Sequence, residues 1–245
     1  MGKKLIIGLL LIGNLFGVQI IELSGDKSYP PYSYLEKGTA KGVYVDVLNA
    51  AFDKIPDYEV KFNMVAWKRA IGSVKQGKTV GFFPPYYNDK RTAWTKFSEP
   101  MVSESTIIFA KESTLKDKTK FPKDFYGMKL CLNRGFAPSV MGGEKLEKAV
   151  KDGSIKLIEA NDNKSCLSRV DRGIADFYLG DQLIDSSLFP MIKKGMNIKA
   201  NSGYLGFTLK IKNYPFMGDL QKKFNQVIKD MKKSGELDSI VQKYK

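Results

Sequence analysis

Short apolar runs of strand type alternate with helical stripes along almost the whole chain, and this alternation limits the fold more than any single residue does. Residues 20–23, 60–65, 80–83 and 106–110 read as strands. Between them Tyr44, Leu48, Ala51, Phe52 and Ile55 recur at helical spacing up to Pro56, and Ala70, Ile71 and Val74 share one side of a helix over 67–76. The segment S-Y-P-P-Y at 28–32 reads as a loop, since two prolines forbid regular structure. A polar, lysine-rich stretch at 111–120 reads as a crossing point. A second series follows, with strands at 129–132, 155–159 and 176–179 and helices at 139–151 and 166–172. A strand at 205–211 then returns, and helices at 216–233 and 237–244 end the chain, the first with Leu220, Phe224, Val227, Ile228 and Met231 inward. Such alternation predicts parallel α/β sheets, and two groups joined by extended segments predict two lobes with a cleft between them. A length of 245 residues is enough for two modest cores.

The first residues carry the pattern of an export signal. Lys3 and Lys4 form a basic start, and 5–18 is an apolar run too short and glycine-rich to span a bilayer comfortably, so 1–17 is expected to be a cleaved signal peptide. Export permits a disulfide between the two cysteines, Cys131 and Cys166; two buried thiols are the other outcome, because spacing alone does not establish the geometry.

Composition removes several function classes. There is no histidine, which excludes Ser-His and Cys-His nucleophile pairs, histidine metal sites and the commonest general base. Two cysteines cannot complete an all-thiolate zinc site, and no cofactor is expected. The formal charge of +14 raises the question of nucleic acid, but the lysines are scattered, with no run of five, as on a solvated surface.

One motif has to be rejected. G-S-V-K-Q-G-K-T at 72–79 matches the phosphate-loop pattern letter for letter. A phosphate loop follows a strand and opens a helix, whereas here a helical pattern precedes the glycines, a strand follows, and Pro84 and Pro85 block any helix beyond. The expected structure is a helix end capped at Gly77. S-T-L-K at 113–116 lacks the companion motifs of serine acyl-enzymes and lies in a polar connector.

Seven segments belong together: Y-P-P-Y at 29–32, K-G-V-Y-V-D at 41–46, W-K-R-A at 67–70, D-K-R at 89–91, F-S-E-P at 97–100, R-G-I-A-D-F-Y-L-G-D at 172–181 and S-G-E-L at 234–237. In order and spacing this set resembles the family 3 extracellular solute-binding proteins, the periplasmic receptors of polar amino-acid ABC importers, over nearly the whole chain beyond the signal. The resemblance implies a type II periplasmic-binding-protein fold, with two lobes, a hinge and an interlobe cleft. Lobe 1 would comprise residues 18–109 plus 206–245 and lobe 2 residues 110–205, with hinges at crossings near Phe109 and Ser202. It also implies a monomer in the periplasm that captures a small amino-acid-like ligand and hands it to an inner-membrane ABC permease.

Residue by residue, the resemblance assigns Arg91 to a ligand carboxylate, which a guanidinium meets with two parallel hydrogen bonds; a surface salt bridge is the plainer alternative. It assigns Asp181 to a ligand ammonium, so that opposite lobes would grip the two ends of a zwitterion; the alternative is an N-cap for a following helix. Tyr29, Tyr32, Trp67 and Tyr86 would line the first-lobe wall, or else serve as ordinary core. Phe136 and Ala137, in G-F-A-P-S at 135–139, would bring backbone amides to the cleft, or form a plain turn. Two departures from the family stand out. Pro84, Pro85, Tyr86 and Tyr87 occupy positions where many members carry small hydroxyl residues, and Phe136 stands where many have Ser or Thr. Both add bulk and remove donors.

An enzyme is not expected. The competing readings are a periplasmic dehydratase resembling cyclohexadienyl dehydratase, with Glu99 or Glu104 as its acid, and a sensory module that binds ligand without transport.

Overall fold

The protein is described by a computed structural model covering residues 17–245. The signal expected over 1–17 lies, apart from Gly17, outside the described residues. The chain opens with β1 (Gln19–Asp26), the short strands β2 (Ser28–Tyr29), β3 (Ser33–Glu36) and β4 (Thr39–Lys41), and helix α1 (Val43–Phe52). Then come β5 (Tyr58–Val65), α2 (Trp67–Lys75), β6 (Gly81–Phe83), α3 (Asp89–Thr92) and β7 (Thr95–Phe97). The second series is β8 (Val102–Lys111), α4 (Glu112–Leu115), β9 (Lys129–Asn133), α5 (Pro138–Gly142), α6 (Glu144–Lys151) and β10 (Lys156–Ala160). It continues through α7 (Asn163–Asp171), β11 (Phe177–Asp181) and β12 (Ile192–Gly203). The chain closes with β13 (Gly206–Thr208), α8 (Met217–Ser234) and α9 (Glu236–Gln242).

Two five-stranded sheets share one topology. The first is ordered β5-β1-β6-β13-β7 and the second β10-β9-β11-β8-β12. In each, three strands run parallel, and the strand arriving from the other unit, β13 or β8, inserts antiparallel beside the third. This is the two-lobe type II arrangement. Parallel sheets direct their carboxyl ends to one edge, where loops collect ligand-facing groups. Those ends are Asp26 and Phe83 in the first sheet and Asn133 and Asp181 in the second.

Burial follows the periodicities. On α8 the buried Leu220, Phe224, Ile228 and Met231 fall at spacings of four, four and three, and the left-handed Gly235 ends the helix. On α2 the alleged phosphate loop is a helix end: Gly72 lies inside the helix and Gly77, at φ 69°, turns the chain out of it. No described helix is long and apolar enough to cross a membrane.

Several expectations need correcting. The stretch 111–120 is not a crossing; it follows β8 as α4 and stays beside the second sheet. The chain changes sheets between Phe97 and Val102 and returns between Gly203 and Gly206. Phe109 therefore lies in mid-strand, paired with Tyr178 and Lys194. The helix expected over 139–151 is split into α5 and α6 because Gly143, at φ 83°, takes a conformation that side chains disfavour. The strand expected to reach 211 stops at Thr208, and Ile211–Asn213 is a 3-10 turn. Strand β12 was not expected: its sequence I-K-K-G-M-N-I-K-A-N-S-G is polar because it forms the edge of its sheet.

Candidate functional site

The first-lobe wall is built where β1 and β6 end and α2 begins. Trp67 is the first residue of α2; its ring stacks on Phe82 of β6, centroids 5.3 Å apart. Asn88 caps α3 by accepting a hydrogen bond from the Lys90 amide at 2.8 Å. That short turn sends Arg91 back under the loop, where its Nη1 donates to the Tyr86 carbonyl at 2.9 Å and its guanidinium lies 5.7 Å from the Trp67 ring centroid. Among the described residues no carboxylate pairs with Arg91. Loss of hydration on burial pulls its pKa down to about 10.

The second lobe closes over this wall. The loop after β9 brings Phe136 edge-on to Tyr29, with ring centroids 5.4 Å apart, and Ala137 beside it. The interlobe pocket, partly open to solvent, has about 300 Å³ of empty space with its mouth included. Of the eight ligand residues expected from sequence, Tyr29, Trp67, Tyr86, Arg91, Phe136 and Ala137 all line it. Pro84, Val140 and Met141 complete the lining and were not expected.

Tyr32 and Asp181 are not among the lining residues. Tyr32 is fully buried and stacks behind Tyr29 at 5.1 Å. Asp181, also fully buried, accepts hydrogen bonds from the amides of Ser105 at 2.9 Å and Leu183 at 3.1 Å. It caps the turn that follows β11 and lies close enough to Tyr29 for its charge to raise that hydroxyl's pKa. Burial raises the Asp181 pKa to about 7 against the pull of those amides. Asp176, just before β11, accepts a hydrogen bond from the Lys129 amide at 2.6 Å.

Sequence reasoning undervalued two carboxyls. Glu104 of β8 is buried, and three tyrosines donate hydrogen bonds to it: Tyr44 to Oε1, and Tyr29 at 3.3 Å and Tyr86 at 2.6 Å to Oε2. Burial raises its pKa to about 7. A signal existed: on β8 Glu104 is in phase with the buried Val102 and Thr106, and a glutamate at an inward position needs partners. Asp26, at the end of β1, is buried too; it accepts from the Ser28 amide at 3.0 Å, and burial lifts its pKa to about 7. It lines an adjoining groove of about 860 Å³ with Lys27, Lys68, Asn133 and Arg134, and Trp67 belongs to both spaces. Asn133 is buried there with its Oδ1 unpartnered.

The lobes are drawn together around these spaces. Asn163 of α7 donates to the Pro30 carbonyl at 2.8 Å, Lys68 meets Glu159 at 3.7 Å, and Lys90 meets Glu147 at 3.1 Å. Behind the second-lobe wall a disulfide joins Cys131 of β9 to Cys166 of α7, with Cα atoms 5.6 Å apart.

Residues 21–245 match the family model described as bacterial extracellular solute-binding proteins, family 3. A curated relative, the probable amino-acid-binding protein YxeM of Bacillus subtilis (strain 168), is 25% identical over 230 residues, spanning 89% of this chain and 80% of its own. Among solved structures, a histidine kinase sensor domain with similarity to periplasmic binding proteins superposes with a TM-score of 0.78 at 18% identity, covering 93% of this chain and 96% of its own. An ancestral arginine-binding protein bound to arginine gives 0.75 at 18% identity, covering 92% and 97%.

Proposed function

Because the chain belongs to the bacterial extracellular solute-binding proteins of family 3, we propose that it is a transport receptor. It captures a small amino-acid-like solute between its lobes in the periplasm and delivers it, as a monomer, to an inner-membrane ABC permease. Lobe 1 is the unit of the first sheet and lobe 2 that of the second, with the hinge at 98–101 and 204–205. The observation that carries this reading is Arg91: a guanidinium set into the interlobe pocket against Trp67, with no carboxylate of the described chain to neutralise it. A half-buried cation without an anionic partner has lost part of its hydration, and an arriving carboxylate offsets that cost with paired hydrogen bonds. Tyr29, Trp67, Tyr86 and Phe136 then cover the apolar part of the solute.

The ammonium of a zwitterion would go to a carboxyl. Asp181 is the partner expected from the family pattern, and two amides leave some of its four lone-pair sites free. Asp26 favours a second arrangement: it lines the groove that shares Trp67 with the pocket, beside the unpartnered Asn133 Oδ1. Isothermal calorimetry against amino acids and ammonium-free carboxylates of matched size tests the reading. Heat and a thermal shift with at least one carboxylate, and no turnover, are expected. Silence across the panel rejects the receptor, and conversion of prephenate or arogenate replaces it with the dehydratase. If only amino acids bind, Asp181→Asn and Asp26→Asn identify the ammonium partner by which of them abolishes that preference.

A further inference from the structure

Glu104 sits on the second sheet, yet every side-chain partner it has belongs to the first lobe. Tyr29 comes from β2, Tyr44 from α1 and Tyr86 from the loop after β6. Tyr29 and Tyr86 are also 3.1 Å apart, hydroxyl to hydroxyl, so the three tyrosines and the carboxyl form one connected network. Two of these rings are walls of the interlobe pocket. The backbone makes room for the arrangement: a Cβ at Gly203 would collide with the Tyr44 hydroxyl and press on Glu104, so the return strand must carry glycine where it passes the network.

We propose that Glu104 is the positioning residue of the solute pocket: carried by one lobe, it fixes the hydroxyls of Tyr29 and Tyr86 on the other, so that the aromatic wall is set only when the lobes meet. The proposal rests on reading the interlobe pocket as the solute site. Its physical basis is simple. A tyrosine ring beside a pocket can swing unless its hydroxyl is held, and a carboxyl is the one acceptor here that can hold three. Tyr44 does not line the pocket, so it serves to anchor Glu104 itself. The other ionisable groups around the network are Asp181, reached through the neighbouring Ser105 amide, with Tyr178 and Tyr204 near the tyrosines. Lys199 lines the outer groove with Glu104 but donates to the Val140 carbonyl. With no cation bonded to it, the carboxyl is held between its two protonation states near neutrality, which gives the network a titratable signature.

The test uses ligand-free full chain labelled with ¹³C at the tyrosine ring carbons. The Tyr29 and Tyr86 resonances are expected to titrate together between about pH 6 and 8, and the titration is expected to vanish in Glu104→Gln while the fold is retained. Tyr44→Phe is expected to shift the midpoint without abolishing it. Glu104→Ala is expected to broaden the Tyr29 and Tyr86 signals and increase the radius of gyration by small-angle scattering, with Glu104→Gln restoring compactness. Resonances that do not titrate, or that titrate unchanged in Glu104→Gln, overturn the proposal, as does a Glu104→Ala chain with sharp, unmoved tyrosine signals. If Glu104→Ala does not fold, the Glu104→Gln and Tyr44→Phe titrations still decide. A silent solute panel with an intact titration would reject the receptor reading and leave the coupling between Glu104 and the tyrosines standing.

Discussion

The two walls of the cleft are built on the same sheet topology and do opposite electrostatic work. The first-lobe wall offers Arg91, a cation with a carbonyl and an aromatic face for company but, among the described residues, no anion. The second lobe supplies Asp181 and Glu104, carboxyls that already accept hydrogen bonds from backbone amides or tyrosines and are buried enough for both to sit near pKa 7. An unpaired cation invites a ligand anion, whereas a hydrogen-bonded carboxyl also organises the protein around it. The walls also differ in how they are held. The second is stapled by Cys131–Cys166 directly behind its strands, while the first, among the described residues, has no disulfide and is held by packing and hydrogen bonds.

The largest expected effect breaks that last asymmetry. Reducing Cys131–Cys166 opens a loop spanning a sequence separation of 35 and should destabilise the second lobe by about 4 kcal/mol on the chain-entropy account. Hydrogen exchange with and without reductant checks it: protection should fall in β9, β10 and α7 before it falls in β1 and β5. Next comes the unpaired cation. Arg91→Ala should weaken binding of a carboxylate solute by on the order of 3 kcal/mol, a hundredfold or more, with Arg91→Lys intermediate because an ammonium cannot make the paired contact. Calorimetry on the solute found in the panel reads it, and equal affinity in all three chains would show that Arg91 merely packs.

A smaller effect lies in the pH dependence of stability. Asp181 is raised from 3.8 to about 7, so its protonated form is favoured by the fold. The sign follows from linkage: its contribution is fully present below about pH 4 and is lost as pH rises through about 7. The melting temperature should therefore decline over that window, and Asp181→Asn should flatten part of the decline. A Tm that rises with pH, or a slope unchanged by the variant, would mean that Asp181 stays ionised and is paired more strongly than the amides alone suggest. The smallest effect belongs to the rim. Lys90 is largely exposed and its contact with Glu147 is shared with Lys151. Lys90→Ala should change ligand affinity by only a fewfold at low salt and not at all at high salt, measured by calorimetry at two ionic strengths.

Much of the fold was legible as periodicity, because apolar spacing reports which face of an element must leave water. That is why the stripe on α8 and the helix end at Gly77 could be read correctly from the chain alone. Strand β12 escaped because an edge strand needs no apolar signature, and the true crossing escaped because a polar stretch and a change of sheet look alike in sequence. The family pattern brought six expected residues to one pocket, since the positions at strand ends are set by the topology.

The order of residues along the chain thus determined the alternating elements, the absence of imidazole chemistry and the aromatic and cationic character of the cleft. It could not determine which charges would meet a partner. That depends on what lies within a few ångströms in space, and it was folding that surrounded Glu104 with three distant tyrosines, turned Asp181 onto backbone amides and left Arg91 facing the cleft with no carboxylate of the described residues beside it. Electrostatic energy falls off with distance through space and is indifferent to distance along the chain.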